Sequence, residues 1–442
     1  MRRGPRPVPP PWRRLAAWAT VMAASASPAL APAQSSGYSF DLSEVEARPY
    51  EGGGYLEGKF EHFDLRPEAA LYPLQFDGTS ARETLDRVSA SFELFGRYKW
   101  NALTAYGRAS GLVARDTLAS VEEAKLLEGG LRLSPSEGVA IDLGKQVQRW
   151  GKGYAWNPVA FFERPKDPND PQLSREGFVM LAADAVKSLS GPLAAVGVSA
   201  LVLPADDGLN DDFGRPGHGN PGAKLYLLLA DTDIDLMWAG AGSRPRRFGF
   251  DFSRNLGSQL EVHGEWARAV DATRRVLAAD GSVQTETFSA DSWLLGARVI
   301  TEQEVTWIAE LYRNGLGYSA DELERYYRQV DAAFDAGAPP AAQAAARSLA
   351  EAGYARANAG RKYAYLRVSA KDPFDWLYVS PALTTIVNLD DRSWQLTPEI
   401  AYTGWQDLEL RARWIALHGD PYSEFGAKAA GQRLELRLRW FF

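Results

Sequence analysis

The chain has 442 residues, a net charge of -7, no cysteine, and 12% aromatic residues that include 14 tryptophans. The lack of cysteine excludes a disulfide framework, a thiolate metal site, a cysteine nucleophile and a lipoprotein anchor, and the negative charge gives no basic field for nucleic acid, so no nucleic-acid partner is expected. A high tryptophan content is typical of membrane β-barrels, which place aromatic residues in belts at both membrane interfaces.

The first 33 residues have the features of a signal peptide. Arginines precede a short apolar stretch, Leu15 to Ala26, and Ala31-Pro32-Ala33 forms an A-x-A cleavage site before Gln34. We therefore expect export, with residues 34–53 as a periplasmic lead-in that is too short for the plug domain of a TonB-dependent receptor. After Gln34 no uncharged apolar run approaches the roughly 18–20 residues of a membrane helix.

From residue 54 to residue 442, apolar and polar residues alternate in segments separated by turn residues, as in transmembrane strands. This pattern predicts an all-β fold, a transmembrane antiparallel β-barrel of about 18 strands, with 16 as the alternative count. A large soluble sandwich or propeller is the other alternative, although no propeller-like repeat is visible. The predicted strands are 54–63, 87–99, 102–113, 123–133, 138–148, 178–188, 193–203, 222–231, 234–242, 246–254, 258–269, 287–299, 304–315, 361–370, 374–387, 392–402, 408–417 and 432–442.

The lengths of the connections support this count. Bacterial barrels have short periplasmic turns and longer extracellular loops. In this scheme every even-numbered connection has five residues or fewer, and seven of the nine odd-numbered ones have nine or more. We therefore expect both ends of the barrel in the periplasm, and a location in the outer membrane among lipid and lipopolysaccharide.

The last strand is the clearest. Leu434, Leu436 and Leu438 share one face with Trp440 and Phe442, and the other face carries mostly charged residues. An alternating strand that ends on an aromatic residue resembles the assembly signal of outer-membrane proteins. This resemblance implies that the barrel-assembly machinery is a partner and that Trp440 and Phe442 belong to its signal.

The connection after the fifth strand, residues 149–177, contains five aromatic residues together with glycines and prolines. Glycine permits close backbone approach and proline stiffens the chain, but a loop tip in solvent offers aromatic rings nothing to pack on. We expect the segment to fold into the lumen and narrow the pore. A well-packed extracellular cap is the alternative.

Gly144-Lys145-Gln146, Trp150-Gly151 and Asn157-Pro158 together resemble the strand-then-loop element of proteobacterial porin-like barrels, including alginate-export-type, capsule-assembly-type and uncharacterised relatives. The likeness covers residues 144–158 and the general barrel plan. It implies a constriction in this chain, as in general porins. The predicted constriction residues are Gln146, Arg149, Trp150, Lys152, Trp156, Asn157, Arg164 and Lys166. One departure is Lys145, which faces lipid on simple alternation unless a bulge intervenes or the side chain snorkels.

Residues 316–360 show helical spacing. Ser319 can cap a helix that opens with Asp321 and Glu322, and Pro339-Pro340 separates it from an alanine-rich second helix. We expect a helical excursion in a long extracellular loop, which either plugs the pore in part or decorates the surface.

Basic residues on the lumen faces of the second, seventeenth and eighteenth strands become neighbours when the barrel closes. They form either a basic strip that favours anions or, with Glu93, Glu409 and Glu435, a salt-bridged ladder. The basic residues are Arg97, Lys99, Arg411, Arg413, Arg437 and Arg439.

No catalytic or metal motif stands out, since H-E-x-x-H, G-x-S-x-G and P-loop patterns are missing. We expect no enzyme activity, metal or cofactor. The expected function is a TonB-independent outer-membrane channel for an unidentified solute, narrowed by the loop after strand 5. The alternatives are a structural or assembly barrel that anchors surface polysaccharide or a periplasmic partner, and a lipid or polymer exporter that works with an inner-membrane pump.

Overall fold

The computed structural model describes residues 49–171 and 173–442. The predicted signal peptide and residues 34–48 of the predicted lead-in lie outside the described residues. Eighteen antiparallel strands pair in sequence order, and β1 also pairs with β18, so the sheet closes into a barrel and the predicted fold class and strand count are confirmed. The strands are β1 (Tyr50–Leu65), β2 (Thr84–Trp100), β3 (Leu103–Asp116), β4 (Ser120–Ser136), β5 (Val139–Gln146), β6 (Phe178–Ser188), β7 (Leu193–Ala205), β8 (His218–Leu229), β9 (Thr232–Ala239), β10 (Arg247–Leu256), β11 (Leu260–Leu277), β12 (Val283–Ile300), β13 (Val305–Arg313), β14 (Lys362–Ala370), β15 (Val379–Asn388), β16 (Trp394–Trp405), β17 (Leu408–His418) and β18 (Ala430–Phe441).

Alternation along the strands separates an apolar outer face from a charged inner face. On β18 the outward Leu434, Leu436 and Leu438 are 40–47% exposed, whereas Glu435 and Arg437 between them are 2% and 7% exposed. A closed barrel pairs its backbone polar groups internally, so this apolar exterior can face lipid. Four exposed tryptophans, Trp100, Trp307, Trp405 and Trp440, lie at the end of the barrel where the short turns are. The protein is an outer-membrane β-barrel.

The connections alternate in length, with two corrections to the predicted scheme. Seven of the eight even-numbered connections have four residues or fewer, but residues 371–378 form an eight-residue turn, and β15 begins at Val379 instead of 374. Asp372, Phe374, Asp375 and Tyr378 all have positive φ, a left-handed conformation that interrupts a strand. At the other end of the barrel, the β3–β4 and β11–β12 connections are shorter than predicted, because the strands on either side of them are longer than predicted.

The first strand begins at Tyr50, ahead of the predicted residue 54, and its glycines lie at the barrel seam. Gly54 and the C-terminal Phe442 exchange two backbone hydrogen bonds of 3.0 and 3.1 Å. The end of the chain thereby closes the barrel against β1. Recognition of Trp440 and Phe442 by the assembly machinery stays a prediction.

The connection between β13 and β14 contains the expected helical hairpin, α2 (Ala320–Ala333) and α3 (Pro340–Leu349), after a short helix α1 (Tyr72–Phe76) in the β1–β2 connection. Ser319 and Glu322 form a reciprocal capping box at the start of α2. In the part of the chain that the structure describes, no helix is both long and apolar enough to cross a membrane.

The hairpin contacts strands and loops on widely separated sides of the barrel. It shares one hydrophobic cluster with Leu71 of the β1–β2 connection, Val276 of β11 and Ala427 of the β17–β18 connection. An ion pair of 2.8 Å joins Arg274 of β11 to Glu322 of α2. The hairpin therefore packs against long connections and a strand from different parts of the ring, at the end of the barrel where the long connections lie.

The lipid-facing assignment predicts different costs for arginine on the two faces. Leu436→Arg places a charge in lipid near the middle of β18 and should lower the free energy of unfolding by roughly 2–4 kcal/mol. The matched control is Ser91→Arg on the inner face of β2, beside Glu57 and Glu93, which should cost much less. Urea-induced unfolding from lipid vesicles measures both, and equal losses would contradict the assignment of faces.

Candidate lumen site

Gly144 lies in β5, shortly before the β5–β6 connection of residues 147–177. This glycine has φ of 143°, which L side chains rarely adopt. Directly after it, the half-buried Lys145 forms an ion pair with Glu176 at the far end of the same connection. The charge of Lys145 is therefore compensated by a carboxylate of the same connection.

Aromatic packing fixes the first part of the connection to the wall. Trp150 is 2% exposed and meets Phe162 edge to face at a ring distance of 5.4 Å. Phe162 in turn stacks on Phe213 of the β7–β8 connection at 6.0 Å. Together with Phe161, these rings join a cluster that includes inward side chains of β6, β7, β9 and β11. The aromatic residues of the segment thus pack on the barrel itself.

Two buried wall carboxylates bind the backbone of the same segment. Glu265 of β11 accepts hydrogen bonds from the backbone N–H groups of Lys152 and Gly153, both at 2.6 Å, and from a third N–H at residue 159, at 3.3 Å. Glu310 of β13 accepts from the N–H groups of Tyr154 at 2.5 Å and of the next residue at 2.9 Å. A carboxylate that accepts several N–H groups makes strong, charge-assisted bonds. These two residues anchor the loop.

The glycines of this segment are required by that close approach. Gly151 has φ of 99°, and a Cβ there would lie 2.4 Å from the Nδ2 atom of Asn157. A Cβ on Gly153 would lie 2.0 Å from the carbonyl oxygen of Trp156 and 3.2 Å from Oε1 of Glu265. A side chain at either glycine would therefore collide with a neighbouring atom of the same loop.

His263 lies beside these anchors. It is 1% exposed, its Nε2 atom is 3.0 Å from Oε1 of Glu310, and its ring meets that of Tyr154 edge to face. A Cβ at Gly296 would lie 2.2 Å from Nε2, so the glycine makes room for the imidazole. These contacts give His263 a packing role next to a loop anchor.

Residues 169 and 170 of the connection meet the wall formed by β16, β17 and β18. Asn169 hydrogen bonds with Gln395 of β16 and lies 3.4 Å from the hydroxyl of Thr397. Oδ2 of Asp170 lies 3.1 Å from Arg437 of β18 and 3.7 Å from Arg413 of β17. Although burial alone would raise the pKa of Asp170, the two guanidinium groups lower it below its usual value. Asp170 therefore stays charged and joins the loop to β17 and β18 by ion pairs.

The predicted constriction residues divide into two sets. Arg149, Trp150, Asn157 and Lys166 line one chamber of about 530 Å³ between the loop and the inner faces of β3 and β4. Of the other four, Gln146 is the last residue of β5, and three contact wall or loop partners: Lys152 pairs with Asp235 at 3.2 Å, Trp156 stacks on Tyr312 at 5.0 Å, and Arg164 pairs with Asp212 at 2.7 Å.

Most of the predicted basic strip lies beside carboxylates, which is the arrangement expected of the ladder alternative. Lys99 is the member without an ion pair among the described residues. The pairs are Arg97 with Glu51 at 2.6 Å, Arg411 with Glu409 at 3.0 Å, Arg413 with Glu399 at 2.5 Å, Arg437 with Glu435 at 2.8 Å, and Arg439 with Glu57 at 2.6 Å.

Sequence reasoning missed several residues of the site. Glu310 was available as a lone carboxylate on an inward position of β13, and Asp170 as an acid between prolines, but neither pattern reveals its partner. Arg108, Glu163 and Arg175 also line the chamber. Burial raises the pKa of Glu163 to about 7, against the opposing effects of Arg175 and Lys166.

A second cavity of about 630 Å³ lies along the inner faces of β1, β2 and β18. The connection bounds it at Arg164, Asp170 and Arg175. Both cavities therefore share the loop as one wall, and charged side chains of both signs line them.

The comparisons with known proteins add only a general likeness in fold. No family model and no curated protein matches the sequence. Among solved structures, the chain resembles a crystal structure of Pseudomonas aeruginosa OccK5 (OpdH), with TM-score 0.48 and 11% identity over 89% of this chain and 98% of that one. It also resembles a triple mutant of Rhodopseudomonas blastica porin, with TM-score 0.44 and 10% identity over 89% and 100%. Similarity this low assigns neither a family nor a solute.

The anchoring geometry predicts that Gly153 cannot carry a side chain without displacing the loop. Gly153→Ala should leave the barrel folded but expose the 150–171 segment, which limited proteolysis of the folded protein detects. Gly58→Ala is the control, because a Cβ there has nothing within 4 Å. Equal resistance of both variants to protease would contradict the anchoring by Glu265.

Proposed function

We propose that the protein is a TonB-independent outer-membrane channel whose lumen is narrowed by residues 149–177. The observation that carries the proposal is the attachment of this connection to distant walls. Glu265 and Glu310 hold it on β11 and β13, and Asn169 and Asp170 meet β16, β17 and β18. A segment held in this way takes up cross-section that solute would otherwise use.

The two cavities support a proposed route for solute. Both lie between the loop and the part of the wall formed by β1 to β4, with β17 and β18 at its edge. Solute would pass between the loop and this wall, past cations and carboxylates that select by charge. The helical hairpin at the mouth, attached through Arg274 and Glu322, would filter solute before it reaches the loop.

TonB independence is supported by the use of space in the lumen. A TonB-dependent receptor fills its barrel with a plug domain, whereas here the β5–β6 connection crosses the interior and is bonded to side chains of several inner-wall strands. A plug and this loop would compete for the same volume.

Replacement of residues 150–171 by a short Gly-Ser bridge tests the proposal. The single-channel conductance in planar bilayers should increase several-fold, because the loop no longer occupies the lumen. Heat-modifiability on gels confirms that the variant is folded. Unchanged conductance in a folded variant would contradict the constriction, and no conductance in either protein would favour the structural-barrel alternative.

Ion selectivity should depend on pH through Glu163. With a pKa of about 7, this carboxyl is largely ionised at pH 8 and largely neutral at pH 6, where Arg149, Lys166 and Arg175 around it lose an opposing charge. Anion preference, measured as the reversal potential in a KCl gradient, should therefore increase as the pH falls from 8 to 6. In Glu163→Gln this change should be much smaller, and an undiminished change would contradict the role of Glu163.

A further inference from the structure

Three arginines at the end of the barrel where the long connections lie make no ion pair with the residues that the structure describes. They are Arg244 of the β9–β10 connection, Arg247 at the start of β10, and Arg356 between α3 and β14. None of them lines either of the two cavities beside the loop. They therefore form a separate group of positive charges near the mouth.

Arg247 faces the interior of the barrel. The next residue, Phe248, is 41% exposed on the outer face, so alternation turns Arg247 inward. Gly249 shares this inner face, and a Cβ there would lie 3.0 Å from the Cζ atom of Phe161. The inner side of β10 at this level is thus covered by the β5–β6 connection.

Two of the three guanidinium groups are held beside Phe161. Arg244 donates to the carbonyl oxygens of Phe161, at 3.3 Å, and of Phe213, and its guanidinium carbon lies 3.9 Å from the centre of the Phe213 ring. The guanidinium carbon of Arg247 lies 5.9 Å from the centre of the Phe161 ring. Because both phenylalanines are buried, these contacts restrict the positions of the two arginines.

The outer nitrogens of these arginines remain available. Arg247 makes no hydrogen bond with the described residues, and Nε is the one of its side-chain nitrogens that is fully buried, so both Nη atoms are accessible. Arg244 uses Nε and one Nη atom for the two carbonyl groups, which leaves its second Nη atom free. Arg356 is exposed. Accessible N–H donors thus come from three different side chains.

The charges of the group act on one another without an acidic partner of their own. Burial and the positive charge of Arg247 lower the pKa of Arg244 to about 9, so that it is still protonated at neutral pH. Arg164 and Arg356 act in the same direction, and Asp212 opposes them. Asp212 is already bound by two nitrogens of Arg164 at 2.7–3.0 Å. A bound anion would relieve the repulsion among the unpaired arginines.

The chemistry of the donors favours a phosphate. A guanidinium group binds either a carboxylate or a phosphate through two parallel hydrogen bonds. A phosphate group carries roughly −1.5 to −2 charges at neutral pH and three acceptor oxygens, so it can accept from two guanidinium groups at once. A single carboxylate carries one charge and is satisfied by one guanidinium.

From these observations we infer that Arg244, Arg247 and Arg356 form a binding site for a small solute that carries a phosphate group. The site lies between the connection that holds the helical hairpin, at Arg356, and the loop, at Phe161. It would hold the solute before the solute passes the loop. The part of this site in transport rests on the proposed channel function, which the inference deepens by naming the class of solute.

The test is a calorimetric titration of the purified protein in detergent micelles with sodium pyrophosphate. Malonate, a dicarboxylate, is titrated in parallel at equal ionic strength. Pyrophosphate should bind at least about tenfold more tightly than malonate, because each phosphate offers more charge and more acceptor oxygens to the guanidinium groups. Equal affinity for the two anions, or tighter binding of malonate, would overturn the phosphate assignment.

Three variants locate the site. Arg247→Gln should weaken pyrophosphate binding by about tenfold or more, since charged hydrogen bonds are lost. Arg247→Lys keeps the charge but not the planar pair of donors, and should weaken it by about twofold to tenfold. Arg328→Gln is the charge-matched control on the exposed face of α2 and should bind as the unchanged protein does. Unaltered affinity in folded Arg247→Gln would overturn the site.

The outcomes separate this inference from the proposed function, because the titration does not require conductance. Pyrophosphate binding that depends on Arg247 in a protein without conductance would support the site and refute the channel. A conducting channel that does not bind pyrophosphate would overturn the site while the channel stands.

Discussion

Two carboxylates on the inner wall, Glu265 and Glu310, bind five backbone N–H groups of the loop that follows β5. Hydrogen bonds to charged groups contribute roughly 1.5–3 kcal/mol each, so five of them hold the loop firmly even when they are far from additive. The other features of the site depend on this attachment. Trp150 packs in a fixed cluster, and Asn169 and Asp170 reach β16, β17 and β18. The chamber exists because the loop stands away from β3 and β4.

The charges of the lumen serve two purposes. Along β16, β17 and β18, arginines and glutamates compensate one another, as with Arg413 and Glu399, and such pairs stiffen the wall more than they attract solute. Asp170 of the loop is ion-paired with Arg413 and Arg437 of this wall, so the loop and the wall share one network of charges. Among the described residues that line the chamber, Arg149 and Lys166 make no ion pair. Selectivity in this account comes from a few side chains on the loop and not from the total number of arginines in the barrel.

The sequence predicts the barrel well, because alternation is a local property. The faces of β18 and the capped helix at Ser319 could both be predicted from neighbouring residues. The turn at 371–378 could not, since its left-handed residues include Phe374 and Tyr378, which carry no signal for that conformation. The residues that meet one another across the lumen could not be predicted either. Nothing local to Glu310 or Asp170 indicates which distant residue each one meets, although the glycines and aromatics of the loop do indicate close packing.

The contact of the loop with β16 can be measured directly by a cross-link, because the chain has no native cysteine. Asn169→Cys with Thr397→Cys joins positions whose side-chain oxygens lie 3.4 Å apart, and mild oxidation of the folded protein in membranes should form a disulfide at high yield. The control pair, Asn169→Cys with Ser199→Cys on the inner face of β7, should not react. Failure of the first pair to cross-link, or equal yields from both pairs, would contradict the account.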